Sequence, residues 1–320
     1  MERSFAREDG TPEAPPRRGL HEGATPEAPP RRGQHLNATF WRRFARLGAT
    51  RGPEWFVRWT PPAIGLVACV LAPRERRAVV ENLRRVRGER GAVRDVLDVA
   101  ATFATYASCL AEILGAGSPR GRLPRAVVYG ELNVLDAAAE GRGVIFATAH
   151  TAGWETVGPL LSRDHGLRVM IAEAAEANPG TRAIQDEARR THGLLVAHVG
   201  DDPLSALPLV RHLRDGGVVA LQIDRLPAGM RGRRVTLFSR SAAVPEGPLR
   251  LAMITGAPIV PVFAARTGYR QYAVVAGAAV RLSRVASDDE LDAAAQAVAS
   301  AMQAFLQRHP TQWFHFAQTT

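Results

Sequence analysis

No lysine occurs anywhere in the 320 residues, so all 41 basic side chains are arginine. Two enzyme classes fall away with it, because a phosphate loop built on Gly-Lys-Ser/Thr and a Schiff-base lysine both need that amine. Cysteine is nearly as scarce. Cys69 and Cys109 both lie in apolar surroundings; two such cysteines make no disulfide framework and read as core residues in a reducing compartment. The early part of the chain has no long apolar run either. The most apolar early segment, Ala63 to Ala72, is ten residues, against roughly 20 for a helix that spans a bilayer, so it belongs to an interface or a core. The start, "MERSFAREDG", lacks the apolar centre of a secretory signal, and export is not expected. There is no helix-turn-helix, zinc spacing or RNP-like aromatic motif, which argues against nucleic acid as a partner. A Gly-x-Ser-x-Gly elbow is also missing, which argues against a serine hydrolase.

What is present builds a core and a basic surface. A 46% hydrophobic content over this length suffices for one large domain or two small ones. The formal net charge is +10, with arginine clusters at Arg42/Arg43, Arg74/Arg76/Arg77, Arg84/Arg85/Arg87/Arg90 and Arg231/Arg233/Arg234. Such a surface favours acidic partners, and an anionic membrane or an acidic carrier protein fits better than nucleic acid.

Along the chain, residues 11–21 and 25–35 repeat "TPEAPPRRG" with little change. Pro, Gly and charge in that proportion bury no core, so residues 1–36 are expected to be a disordered tail, with one domain over 37–320. Residues 37–120 are expected to form its helical, membrane-proximal part and 121–320 its α/β core. Trp41, Phe44, Trp55, Phe56 and Trp59 alternate with Arg42, Arg43, Arg46, Arg51 and Arg58. That mixture suits a water–lipid boundary, and equally a set of short helices capping the core. Val93, Val96, Leu97, Phe103, Tyr106, Leu110, Ile113 and Leu114 recur at helical spacing, predicting a long amphipathic helix. Then come short apolar runs, each paired with a helical pattern: "AVVYG", "GVIFATA", "LRVMIA", "LLVAHV", "GVVALQI", "RVTLF" and "APIVPVFAA". Continuous runs of this kind predict an α/β fold, a largely parallel central sheet with helices on both faces. The last third adds one edge strand and a closing helix, whose start is marked by the capping box Ser287 to Glu290.

The run "GVIFATAHTAGWE" ends its strand on His150, with Glu155 five residues on. In open α/β sheets, active groups lie beyond the carboxyl ends of the strands. A carboxylate in the first turn of the next helix can reach back to the imidazole, fix its tautomer and leave a general base. Two plainer arrangements also fit: Glu155 complementing a helix dipole, and His150 as a satisfied core histidine. Gly153 lets a ligand approach the backbone. Asp224 and Arg225 end another strand in "GGVVALQIDR", either on the same crevice or as a local salt bridge. No third ligand has the spacing of a metal site.

At these residues the chain resembles the bacterial lipid A biosynthesis (lauroyl and myristoyl) acyltransferase family, within the wider glycerolipid acyltransferase superfamily. "HTAGWE" has its His-x4-Glu form, "RRAVVENLRRV" its Asn-Leu helix with Asn82 and Leu83 in place, "TGAPIVPVF" its Val-Pro strand, and "HPTQWFHF" its His-Pro-x-Gln-Trp/Tyr ending. The resemblance implies that His150 takes the proton of an acceptor hydroxyl while Glu155 orients it. The hydroxyl then attacks an acyl thioester of acyl carrier protein or coenzyme A, with no other cofactor. It also matches Asp224 and Arg225 to the family's acidic strand end, and Arg189 to a recurrent arginine before a glycine. The acceptor implied is a membrane lipid, lipid A or another glycolipid or phospholipid, at the cytoplasmic face of the bacterial inner membrane. "VPEGPLR" looks like the Pro-Glu-Gly motif of glycerol-phosphate acyltransferases, but only 12 residues separate Glu246 from Pro258. Glu246 is therefore read as a helix-start residue.

Overall fold

The computed structural model describes residues 47–116, 124–153, 158, 166–174, 194–200, 203–227 and 229–317. The repeat at 11–35, Glu155 and Arg189 lie outside the described residues. After a helical stretch at residues 47–51 come α1 (Glu54–Leu71), α2 (Pro73–Arg87) and α3 (Ala92–Ala116). The bend between α1 and α2 is 99°, and Arg76 holds it by donating to the carbonyls of Cys69 and Val70, two of the acceptors that a helix end leaves open. Gly65 lets α1 lie directly on α3. A Cβ there would sit 2.4 Å from the Phe103 carbonyl oxygen. Val79, Leu83, Val99, Phe103 and Cys69 form the small core among these helices.

The α/β part holds β1 (Arg125–Tyr129), α4 (Glu131–Ala139), β2 (Val144–Thr148), β3 (Val169–Ala174), β4 (Leu195–Val199), α5 (Leu207–Arg214) and β5 (Val218–Gln222). It continues through β6 (Gly232–Leu237), β7 (Arg240–Pro245), α6 (Gly247–Thr255), β8 (Ile259–Gly268), β9 (Gln271–Ala276) and α7 (Asp288–Arg308). Among the described residues, seven strands form one sheet in the order β1-β9-β8-β2-β5-β3-β4. Every neighbouring pair is parallel except β8 and β9, so the largely parallel sheet expected from the sequence is present. Along β2, Ile145 and Ala147 face a core shared with Leu291, Met302, Phe305 and Leu306 of α7, while Val144 and Phe146 face Val134 and Ala137 of α4. Burial on both faces is why β2 is apolar from Val144 to Ala147. The capping box is complete: Ser287 N donates to Glu290 at 2.7 Å and Glu290 N to the Ser287 hydroxyl at 3.2 Å.

Several expectations are corrected. The strand from the last third is not an edge; β9 lies between β1 and β8, and β1 takes the edge. "RVTLF" does not join the main sheet, since β6 pairs with β7 alone in a hairpin. The apolar stripe of α3 is only partly buried: Phe103 faces inward as expected, but its first turns do not. Val93, Val96 and Leu97 are exposed, whereas Asp95, Val99, Thr102, Phe103, Cys109 and Glu112 face inward. The buried acids are satisfied, because Asp95 pairs with Arg84 and Arg87, and Glu112 with Arg266. Part of the basic surface is spent in the same way. Arg233 binds Glu246, Asp288 and Asp292, and these partners raise its pKa further.

Candidate active site

The carboxyl ends of β2 and β5 are neighbours in the sheet, with Thr148 in register with Gln222. His150 and Asp224 each follow by two residues, and the ladder continues past the strands through Ile223 N to Thr148 O at 2.8 Å. That extension brings the two side chains together. Asp224 Oδ1 lies 2.9 Å from His150 Nδ1 and accepts from the His150 backbone N–H at 3.2 Å. The second oxygen, Oδ2, accepts from the Trp313 indole at 3.0 Å. The Asp224 side chain is fully buried and the His150 side chain is 24% exposed, so the pair sits at the mouth of the protein interior. Burial opposes the Asp224 charge. The imidazole, its hydrogen bond, the indole and the Arg225 guanidinium outweigh that opposition and hold the carboxyl well below the ordinary carboxylate range.

The C-terminal segment runs beside His150. Phe314 N donates to the His150 carbonyl at 2.7 Å, Ala152 N donates to the Gln312 carbonyl at 3.1 Å, and Thr151 bridges Trp313. Gln312 is itself fixed to both backbone groups of Arg266, at 2.7 and 3.0 Å. Asn82 of α2 donates to the carbonyls of His315 and Ala317. The "NL" and "HPTQWFHF" motifs, far apart in sequence, are thus in direct contact. Burial, with Arg225 nearby, pushes the His315 imidazole down to about 4.

Gly153 turns the chain just after His150 with φ +82°, and its backbone lies on the face of Tyr272. Tyr272 is locked in turn, with its hydroxyl donating to Glu112 at 2.6 Å while Arg266 donates to the other Glu112 oxygen at 2.7 and 3.0 Å. The Cys109 thiol is pushed up to about 12, mainly by burial, which leaves it an inert packing group at neutral pH.

The structure therefore brings together His150, Asp224 and Gly153 of the residues predicted from sequence. The carboxylate on Nδ1 is Asp224. Arg225 donates to the Phe314 carbonyl at 2.7 Å and so braces the C-terminal segment. Glu246 is the residue before α6, as expected of a helix start, and is paired with Arg233 and Arg250. Trp313 lies in the "HPTQWFHF" motif, and nothing in that motif announces Asp224 as its partner. Glu112 and Tyr272 carried no sequence signal beyond being polar in apolar runs.

The profile of the bacterial lipid A biosynthesis acyltransferases matches residues 37–319. A phosphatidylinositol mannoside acyltransferase of Mycobacterium tuberculosis (strain CDC 1551 / Oshkosh) is 32% identical over 137 residues, 42% of each chain. Its namesake from Mycolicibacterium smegmatis is 29% identical over 187 residues, 57% of this chain and 60% of that one. The matches thus span less than two thirds of these relatives' length. The crystal structure of a 1-acyl-sn-glycerophosphate acyltransferase from Thermotoga maritima superposes with a TM-score of 0.36 at 16% identity, covering 85% of this chain and 97% of that one, a likeness too slight to bear on function. With 283 of its residues matched in one continuous stretch, this chain belongs to the bacterial lipid A biosynthesis acyltransferase family.

Proposed function

We propose that this chain is a membrane-associated O-acyltransferase, moving a fatty acyl group from an acyl thioester to a hydroxyl of a lipid acceptor. The observation that carries this is the 2.9 Å contact of His150 Nδ1 with buried Asp224. A carboxylate on Nδ1 keeps the proton there in the neutral imidazole, so the lone pair resides on Nε2. Nε2 takes the proton of the acceptor hydroxyl as its oxygen attacks the thioester carbonyl carbon. The C–S bond then breaks, and the imidazolium returns the proton to the departing thiolate. A base so placed contributes on the order of 10²–10⁴-fold in rate. The donor is acyl carrier protein or coenzyme A thioester. The acceptor is a lipid A-type glycolipid or a mannosylated inositol lipid, the class that the names of the mycobacterial relatives indicate.

Membrane association is supported by the exposed side chains of the helical part. Trp55, Trp59, Val67, Val70 and Leu71 of α1 are exposed, as are Val93, Val96 and Leu97 of α3. Arg51, Arg58, Arg74 and Arg77 are exposed on the same helical part, and Arg58 covers the Trp59 ring at 5.1 Å. Apolar side chains flanked by guanidinium groups and indoles suit the headgroup region of an anionic leaflet. Among the described residues, Ala92–Gly115 is long and apolar enough to cross a membrane, yet Asp95 and Glu112 tie it by ion pairs to α2 and β8. In this reading the helix stays on the membrane surface, and the enzyme works at the cytoplasmic face of the inner membrane, anchored at the interface.

The test is incubation of the purified protein with acyl carrier protein or coenzyme A thioesters and vesicles carrying either acceptor, with intact lipid masses recorded. The reading predicts a lipid heavier by one acyl group. Free fatty acid alone would indicate a thioester hydrolase, and binding without turnover a noncatalytic lipid-binding protein; either overturns it.

A further inference from the structure

We propose that Trp313 is a positioning residue of this centre, its indole N–H holding Asp224 Oδ2 and so fixing the carboxylate against His150. The inference rests on the reading of His150 as the base. Both donors on Oδ1 come from His150 itself, the backbone N–H and Nδ1. Those two contacts alone leave the carboxylate free to turn about its own axis and tilt the imidazole with it. The indole closes the third point, at 3.0 Å on the other oxygen.

Trp313 is itself unable to yield. It is buried, packed against the rings of Phe238 and His315 at 6.3 and 5.2 Å. Its neighbours on both sides are anchored, Gln312 to the Arg266 backbone and Phe314 to Arg225 and the His150 carbonyl. The segment that carries the indole and the turn that carries the imidazole are thus hydrogen-bonded to each other and to one carboxylate. A second effect is electrostatic. A donor on Oδ2 draws charge from Oδ1 and makes the carboxylate less basic toward the imidazole.

Trp313→Phe removes the N–H and keeps an aromatic ring. The expected result is a loss of about tenfold in kcat, the worth of one hydrogen bond to a charged group, with little change in KM. The acid limb of the pH–kcat profile is expected to move to higher pH, because the more basic Asp224 holds the imidazolium more strongly. A second reading needs no acyl donor: carbethoxylation of His150 by diethyl pyrocarbonate, located by mass spectrometry, with its pH midpoint also displaced upward in the variant. If that midpoint moves while neither protein transfers acyl groups, the positioning role stands and the acyl-transfer reading falls. An unchanged kcat, profile and midpoint overturn the proposal. Should Trp313→Phe not fold, the wild-type protein labelled with ¹⁵N-tryptophan decides. The Trp313 indole proton should be protected from exchange and lose that protection in Asp224→Asn; equal protection in both overturns the role.

Discussion

A methyl group added at Gly153 would stand 2.3 Å from Cδ1 of Tyr272, closer than any carbon pair can approach. The turn after His150 is therefore moulded on a tyrosine that Glu112 and Arg266 hold from behind. Gly153→Ala meets both the ring and an unfavourable backbone, since φ is +82°. The expected cost is roughly 2–4 kcal/mol, read by chemical denaturation, together with loss of acyl transfer as His150 shifts. A variant as stable as the wild type would show that Tyr272 gives way.

The fold was readable where burial dictates a pattern. β2 is apolar from Val144 to Ala147 because both its faces are covered, and the strand ends at Thr148, two residues before His150. The pairing of His150 with Asp224 was not readable, since 74 residues separate them and only the adjacency of β2 and β5 in the sheet brings them together. The β6–β7 hairpin escaped notice because its two-residue turn, Phe238 and Ser239, adopts positive φ of 52° and 60° without the Asn-Gly or Gly residues that usually announce such turns. For α3, periodicity predicts the helix but not which side is inward. The buried side holds Asp95 and Glu112, and the partners that make their burial tolerable lie in other elements.

Acid should weaken the protein at His315. Burial and Arg225 lower its imidazole from an ordinary 6.5 to about 4, so the folded state favours the neutral ring. Stability from this group is complete above the ordinary value and is lost as pH falls from there toward 4. Urea unfolding at pH 7 and pH 5 should differ by about 2 kcal/mol from this group. His315→Asn should remove most of that difference, and an unchanged slope would contradict the assignment. Asp224, whose carboxyl is depressed, adds its own loss at lower pH, beginning in the ordinary carboxylate range and continuing below it.

Binding to anionic vesicles should depend on the exposed side chains of α1. Each large apolar group withdrawn from water gains roughly 1.5–3 kcal/mol, so Trp59→Ser with Leu71→Ser should weaken cosedimentation by at least about tenfold. Neither residue contacts the His150 centre among the described residues. Salt should weaken what remains, since the arginine contribution is screened. Binding of the double variant at wild-type strength, or binding indifferent to salt, would place the membrane contact elsewhere.

Whether His150, held by Asp224, is the base is read from kcat for acyl transfer in wild type, Asp224→Asn and His150→Ala, each shown to fold by its melting curve. Loss of the base should abolish transfer, and Asp224→Asn, which keeps the shape but not the charge that fixes the tautomer, should cost on the order of 10²–10⁴-fold. Transfer at the wild-type rate by either variant would contradict the account.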